Sequence, residues 1–164
     1  MERLHYLGAI KSNLGKALQY VIEDGVSGEW LALLDWGYGS LKNSARDEWI
    51  GWDKELRDAR LKYVVTNTRF LILPEGRKHK CLASQVLSLV TKRLSDDWAR
   101  YHGHHVLVAE TFVDIKRFAG TCSRRSISPR NTLQAPLYPC RDSMRGSESD
   151  WRLVWRRFKD PHRF

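Results

Sequence analysis

The stretch KYVVTNTRFLILPEGRKHKCLASQVLSLVTKRLSDDWARYHGHHVLVAETFV (residues 62–113) decides the fold. Lys62 to Leu73 is long, β-branched and aromatic, which is the composition of a central strand. Pro74, Glu75 and Gly76 end it, because proline has no N–H to give to a ladder. A basic loop, Arg77-Lys78-His79-Lys80, leads into residues 81–103, where Leu82, Val86, Leu89, Val90 and Leu94 recur at helical spacing. Gly103 is a natural helix stop, and residues 105–113 (HVLVAETFV) read as a second buried strand. Strand, basic loop, long helix and strand make a βαβ unit with a right-handed crossover. The polar triplet Asn67-Thr68-Arg69 interrupts the apolar run of the first strand, as a bulge, a site or a half-exposed position would.

On the N-terminal side, Glu2 to Lys16 begins with a short amphipathic stretch and breaks at Gly8 and Gly15. ALQYVIE (17–23) and EWLALLDWGY (29–38) flank the turn DGVSG (24–28), the pattern of an antiparallel hairpin. Ser44 is placed to cap a helix with Asp47 and Glu48 in its first turn, and DKELRDARL (53–61) is a second helix, exposed on one side. The fold class is therefore α/β, a mixed sheet in which an antiparallel hairpin precedes a βαβ unit. The tryptophans at 30, 36, 49 and 52 read as core and helix-packing residues.

Beyond Gly120 the periodicity stops. SRRSISPRNTLQAPLYPC (123–140) holds three prolines and no sustained pattern. The end, DWRLVWRRFKDPHRF, is basic and aromatic; Trp151, Val154, Trp155 and Phe158 have the spacing of a short helix, and an unstructured end fits equally. The domain is expected over 1–120, followed by an irregular basic tail, 121–164. Charge divides in the same way. Residues 1–120 carry 18 Lys and Arg against 15 Asp and Glu, whereas residues 121–164 carry 10 against 4. Most of the net charge of +9 therefore sits in the tail, where Arg124, Arg125, Arg156 and Arg157 are candidates for phosphate contacts. No run is apolar enough for a membrane span, no signal peptide is evident, and three unpaired-looking cysteines suit a reducing compartment, so a cytoplasmic protein is expected.

The joint at residues 74–84 is the leading functional candidate. A helix N-terminus offers unbonded N–H groups and the positive end of its dipole to anions. Arg77, Lys78 and Lys80 add charge there, against the plain alternative of a solvated basic loop. Glu110 and Asp114 flank a strand end, and either could act as a general base if burial raised its pKa, Glu110 being the catalytic candidate, against a strand-end carboxylate paired with Arg69 or Arg117. His102, His104 and His105 with Cys81 or Cys122 match no zinc spacing and read as a turn, so no metal is expected.

Several phrases resemble a known family in order and spacing: LHYLG (4–8), GEWLALLDWGYGSLKNSARDEWIGW (28–52), NTRFLILP (67–74), LAS (82–84) and ETFVDIKRFAGTC (110–122). Together they resemble the DruA family of Druantia anti-phage proteins, whose members also occur beside or within mobile elements. The resemblance spans residues 4–122. It implies a role in anti-phage defence or mobile-element biology, binding nucleic acid or another phosphate-bearing ligand, with other defence-system or mobile-element proteins as partners. The order of elements is also similar to the GNAT acyltransferase fold. That likeness implies acetyl-CoA or another acyl-CoA as cofactor and N-acyl transfer as activity. The backbone at Leu71 and Leu73 and the loop residues Lys78, Cys81, Leu82, Ala83 and Ser84 would then hold the cofactor, with Glu110 as base. The pyrophosphate-loop pattern of that fold falls on Lys78, Cys81 and Ala83, with Lys standing for Arg and Cys for Gly. A non-catalytic protein-interaction module is the third reading. After Cys122 the sequence departs from the family pattern as a frameshifted or truncated copy would, which would leave the sheet without its C-terminal part.

Overall fold

Alternation in the two N-terminal runs gives the hairpin its register. β1 (Leu18–Glu23) pairs antiparallel with β2 (Trp30–Tyr38), from Leu18 opposite Trp36 to Ile22 opposite Ala32. The computed structural model describes residues 17–114, 116–117, 119 and 122–123, and the backbone alone of 138–139 and 151–157. α1 (Ser44–Ile50) follows β2, but Asn43 rather than Ser44 caps it, its side chain accepting from the Arg46 N–H. α2 (Lys54–Arg60) is capped by Asp53, which accepts from the Leu56 N–H.

β3 (Val64–Ile72) runs antiparallel to β2 and parallel to β4 (Val108–Asp114), with α3 (Leu82–His102) as the crossover. The second strand thus begins three residues later than its sequence suggests, since His105–Leu107 form the approach to it. Gly103 adopts the left-handed conformation (φ 75°) that ends α3 and lets its N–H reach the Ala99 carbonyl.

The two faces of the sheet bury different sets. Leu34, Trp36, Val65 and Ala109 point to the face covered by α3, where Leu82, Val86, Val90, Leu94 and Trp98 form the buried stripe. Leu89, expected in that stripe, is 59 % exposed, and Leu87 and Thr91 are buried in its place. Val64 and Val108, one residue along, point to the other face and meet Ala45, Trp49, Ile50 and Trp52. Trp30 is the exception among the four expected core tryptophans, at 53 % exposure.

The C-terminal segment corrects the sequence reading. Residues 151–157, spaced like a helix, form the strand β6 (Trp151–Arg157), antiparallel to β4 from Val108 opposite Arg157 to Asp114 opposite Trp151. β5 (Tyr138–Pro139) adds a two-residue edge, and the sheet order is β1-β2-β3-β4-β6-β5. WRLVWRR alternates Trp151, Leu153 and Trp155 with Arg152, Val154 and Arg156, so its sequence also has a period of two. The outer edge of β4 supplies the hydrogen-bonding partner that a helix would leave unmet. The missing C-terminal part of the sheet is therefore filled by the basic end of the chain.

Candidate functional site

β3 and β4 are ladder-paired only from Val64 opposite Val108 to Asn67 opposite Thr111. β3 continues to Ile72 and β4 to Asp114, yet beyond Asn67 and Thr111 no ladder joins them among the described residues. The cause lies in the polar triplet. Asp35 pairs with Arg69 and Trp36 with Asn67, so Thr68 is an extra residue on β3, a β-bulge. The Asn67 side-chain amide closes it, donating to the Asp35 carbonyl at 3.2 Å and to the Arg69 carbonyl at 3.1 Å. Thr68 Oγ1 donates to the same Asp35 carbonyl at 3.3 Å. A bulge bends the strand that carries it, which accounts for the parting of two strands that begin as neighbours. The backbone of Thr68–Ile72 stays tied to β2 on one edge, through pairs such as Leu71 opposite Leu33, and on the other, along the seam with β4, has no ladder partner among the described residues.

Topology brings α3 to this seam. A chain that climbs β3, descends α3 and climbs β4 must start its helix at the carboxyl ends of both strands. The connecting loop is fixed to β2: the Leu73 N–H donates to the Leu31 carbonyl at 2.9 Å, and a 3-10 turn spans Gly76–Lys78. Gly76 is required there, because a Cβ on it would lie 2.3 Å from the Leu31 carbonyl oxygen and 2.8 Å from Leu82 Cδ2. Cys81, immediately before α3, has φ 59° and ψ 14°, the one described non-glycine residue with positive φ. Its carbonyl accepts from the Ser84 and Gln85 N–H groups, each at 3.1 Å. The Leu82 and Ala83 N–H groups have no carbonyl one turn back, as at any helix start.

Among the expected site residues, Arg77, Lys78, Lys80 and Cys81 are exposed around this helix start, and Ala83 and Ser84 are partly exposed. Leu71, Leu73 and Leu82 have buried side chains, so only their backbones face the seam and loop. Arg124 and Arg125 lie outside the described residues. The backbones of Arg156 and Arg157 belong to β6, and their side chains lie outside the description.

Glu110 is not a surface carboxylate. It is fully buried beneath α1 with Arg46, itself fully buried. Thr66 Oγ1 donates to Glu110 Oε1 at 2.8 Å, Asn43 Nδ2 donates to Oε2 at 3.4 Å, and Arg46 Nη1 lies 3.6 Å from Oε1. Arg46 also donates to the Ser40 carbonyl and to Asp47, each at 2.9 Å. Burial raises the Glu110 pKa above the ordinary glutamate range, opposed by Arg46, Thr66 and the Ser40 N–H. Pairing with Arg69 or Arg117 was the alternative for either strand-end carboxylate, and it holds for Asp114 but not for Glu110. Arg117 lies 3.4 Å from Asp114, while Arg69 donates to the Thr68 carbonyl. Enclosed in this way, Glu110 joins β4 to α1 and has no solvent-exposed surface. Arg46 was missed because a charged residue on a short helix ordinarily reads as surface. Its one signal was its place between Ala45 and Trp49, on a helix too short to have a wide polar face.

A model of the family described as Druantia protein DruA matches residues 1–137. The chain belongs to the DruA family. The match runs past Cys122, where the resemblance in the sequence was expected to end, and covers both strands of the seam, the loop and α3. No curated protein and no solved structure matches this DruA-family chain. Among its described residues no helix is long and apolar enough to cross a membrane, and no group of three or more His, Cys, Asp or Glu side chains is placed to hold a metal.

Proposed function

We propose that this DruA-family chain serves anti-phage defence by holding a phosphate-bearing ligand, a nucleic acid or a nucleotide cofactor, where β3 and β4 part above the start of α3. The observation that carries this reading is the open seam beginning at Asn67 and Thr111. Ligands of α/β proteins settle outside the carboxyl ends of parallel strands where neighbouring strands diverge. The start of α3 supplies N–H groups and a positive dipole end to an anion, and Arg77, Lys78 and Lys80 stand around it. The test is thermal melting of the full chain with pyrophosphate, acetyl-CoA or an oligonucleotide in parallel, because a ligand of the native state must raise the transition by mass action. A shift from at least one, lost in an Arg77→Ala/Lys78→Ala/Lys80→Ala variant, supports the site. No shift from any of them, or shifts unchanged in that variant, overturns it.

An acyl-CoA-dependent N-acyltransferase is the second reading, favoured by the conformation of Cys81. The acyltransferase loop pattern asks for glycine at this position, and the left-handed φ of 59° is one that glycine adopts without cost. Cys81→Gly is expected to stabilise the unliganded protein by about 0.5–1 kcal/mol, because relief of left-handed strain outweighs the entropy of the glycine. If coenzyme A binds here, the acetyl-CoA shift measured on that variant exceeds the shift on the parent, since backbone then approaches the pyrophosphate. An equal or smaller acetyl-CoA shift removes the second reading and leaves the first untouched.

A further inference from the structure

The opposite end of α3 carries a different surface. Tyr38 ends β2, Tyr63 precedes β3, and His102 and His104 flank the stop of α3, so the topology gathers them at the amino ends of the parallel strands. Their rings form a connected strip. Tyr38 and His102 centroids are 5.4 Å apart, Tyr38 and His104 6.3 Å, and Tyr63 and His104 5.3 Å. Buried Trp98 lies beneath, 5.2 Å from Tyr38 and 4.1 Å from His102. The strip is not a closed extension of the core. Tyr38 is 38 % exposed, and Tyr63, His102 and His104 are partly exposed. A cation stands at one end: Lys62 Nζ is 5.0 Å from the centre of the Tyr63 ring.

We infer that this aromatic–histidine strip is a second binding surface, which takes the unpaired bases of a single-stranded nucleic acid. Every base presents a π face, so a row of partly exposed rings receives bases without regard to sequence. Lys62 complements the phosphates that accompany them. A duplex hides its base faces within its own stack and gains only the charge. An apolar protein partner has no use for the cation at Lys62. The surface is independent of the proposed phosphate site, because α3, at 21 residues, separates the two by about 30 Å.

The test uses the full chain with a fluorescent oligo-dT, a duplex of equal length and fluorescence anisotropy, with photocrosslinking of the oligo-dT complex mapped by mass spectrometry. Single strand is expected to bind more tightly than duplex and to crosslink to Tyr38 or Tyr63. Tyr63→Ser and His104→Ala each weaken binding roughly tenfold, and Tyr63→Phe restores it. Should Tyr63→Ser fail to fold, the crosslinks on the parent chain decide. Equal binding of duplex, crosslinks confined to residues 77–84, absence of single-strand binding, or folded variants that bind like the parent would each overturn the inference.

Discussion

Replacing Arg46 by methionine keeps the length and apolar stem of the side chain and removes its charge. Glu110 then remains fully buried, with hydrogen bonds from Thr66 and Asn43 but no cation at 3.6 Å. Breaking one side of a buried ion pair costs about 3–5 kcal/mol, because the other charge is left without compensation. That is a large share of the about 5–15 kcal/mol that holds a domain together. The pH dependence follows from sign. The folded-state pKa of Glu110 is already raised above its ordinary value of 4.5, so the native state holds its proton where the unfolded chain has released it. Stability therefore falls as pH rises from about 4.5 through the folded pKa. Without Arg46 the folded pKa rises further, and the deficit of the variant is larger at pH 7.5 than at pH 5. Urea denaturation of the parent, Arg46→Met and Arg46→Met/Glu110→Gln at both pH values is the assay. The double variant should recover much of the loss and lose the added pH dependence. A single variant within 1 kcal/mol of the parent at pH 7.5, or a deficit that grows on acidification, would refute the reasoning.

Three further outcomes are expected. Gly76→Ala forces a Cβ to within 2.3 Å of the Leu31 carbonyl, so it should destabilise by about 1–3 kcal/mol in chemical denaturation; a neutral result would mean the loop is not held against β2. Asn67→Ala deprives the bulge of two side-chain hydrogen bonds and should cost about 1–2 kcal/mol, with amide exchange accelerating first around Asp35 and Arg69; unchanged exchange there would show that the bulge does not depend on Asn67. Asp97, buried between Arg93 and Tyr20, has its carboxyl held below the ordinary range, chiefly by the Arg93 hydrogen bond at 2.6 Å. Its contribution is complete above about pH 4 and fades as pH falls through the lowered value, so Asp97→Asn should flatten the stability curve in that acid range. A parallel displacement at all pH values would contradict it.

Much of the fold was legible because its signals are local. The 62–73 run, the stop at Pro74, the helical spacing from Leu82 to Leu94 and the Gly103 stop each follow from a few adjacent residues, and each element appears close to its expected bounds. Asn67-Thr68-Arg69 stood out as polar residues in an apolar strand, and the bulge is there. Neither a short helix nor an unstructured end, the two readings open for 151–158, describes the strand at 151–157, because WRLVWRR fits both periods and a segment that short has no intrinsic preference strong enough to choose. Leu89 illustrates the same limit at one position: spacing set it in the stripe, while the angle at which α3 lies on the sheet buries Leu87 and Thr91 instead.

The candidate site was legible as an address and not as an arrangement. A basic loop between a strand and a helix is written in PEGRKHKC, and membership in the DruA family was carried by phrases such as NTRFLILP and ETFVD. Glu110 was singled out as a carboxylate near a strand end, but its burial under α1 and its pairing with Arg46 depend on a residue 64 positions away. The seam and the aromatic strip are likewise products of distance along the chain. A bulge on β3 opens the seam against a strand more than forty residues later, and the strip gathers rings from β2, from the approach to β3 and from the end of α3. Sequence alone determined the elements and their order, because backbone preference and hydrophobic period are properties of neighbours. Tertiary structure decided which charges are buried, where two strands part and which rings meet, because those outcomes belong to pairs of residues that only packing brings together.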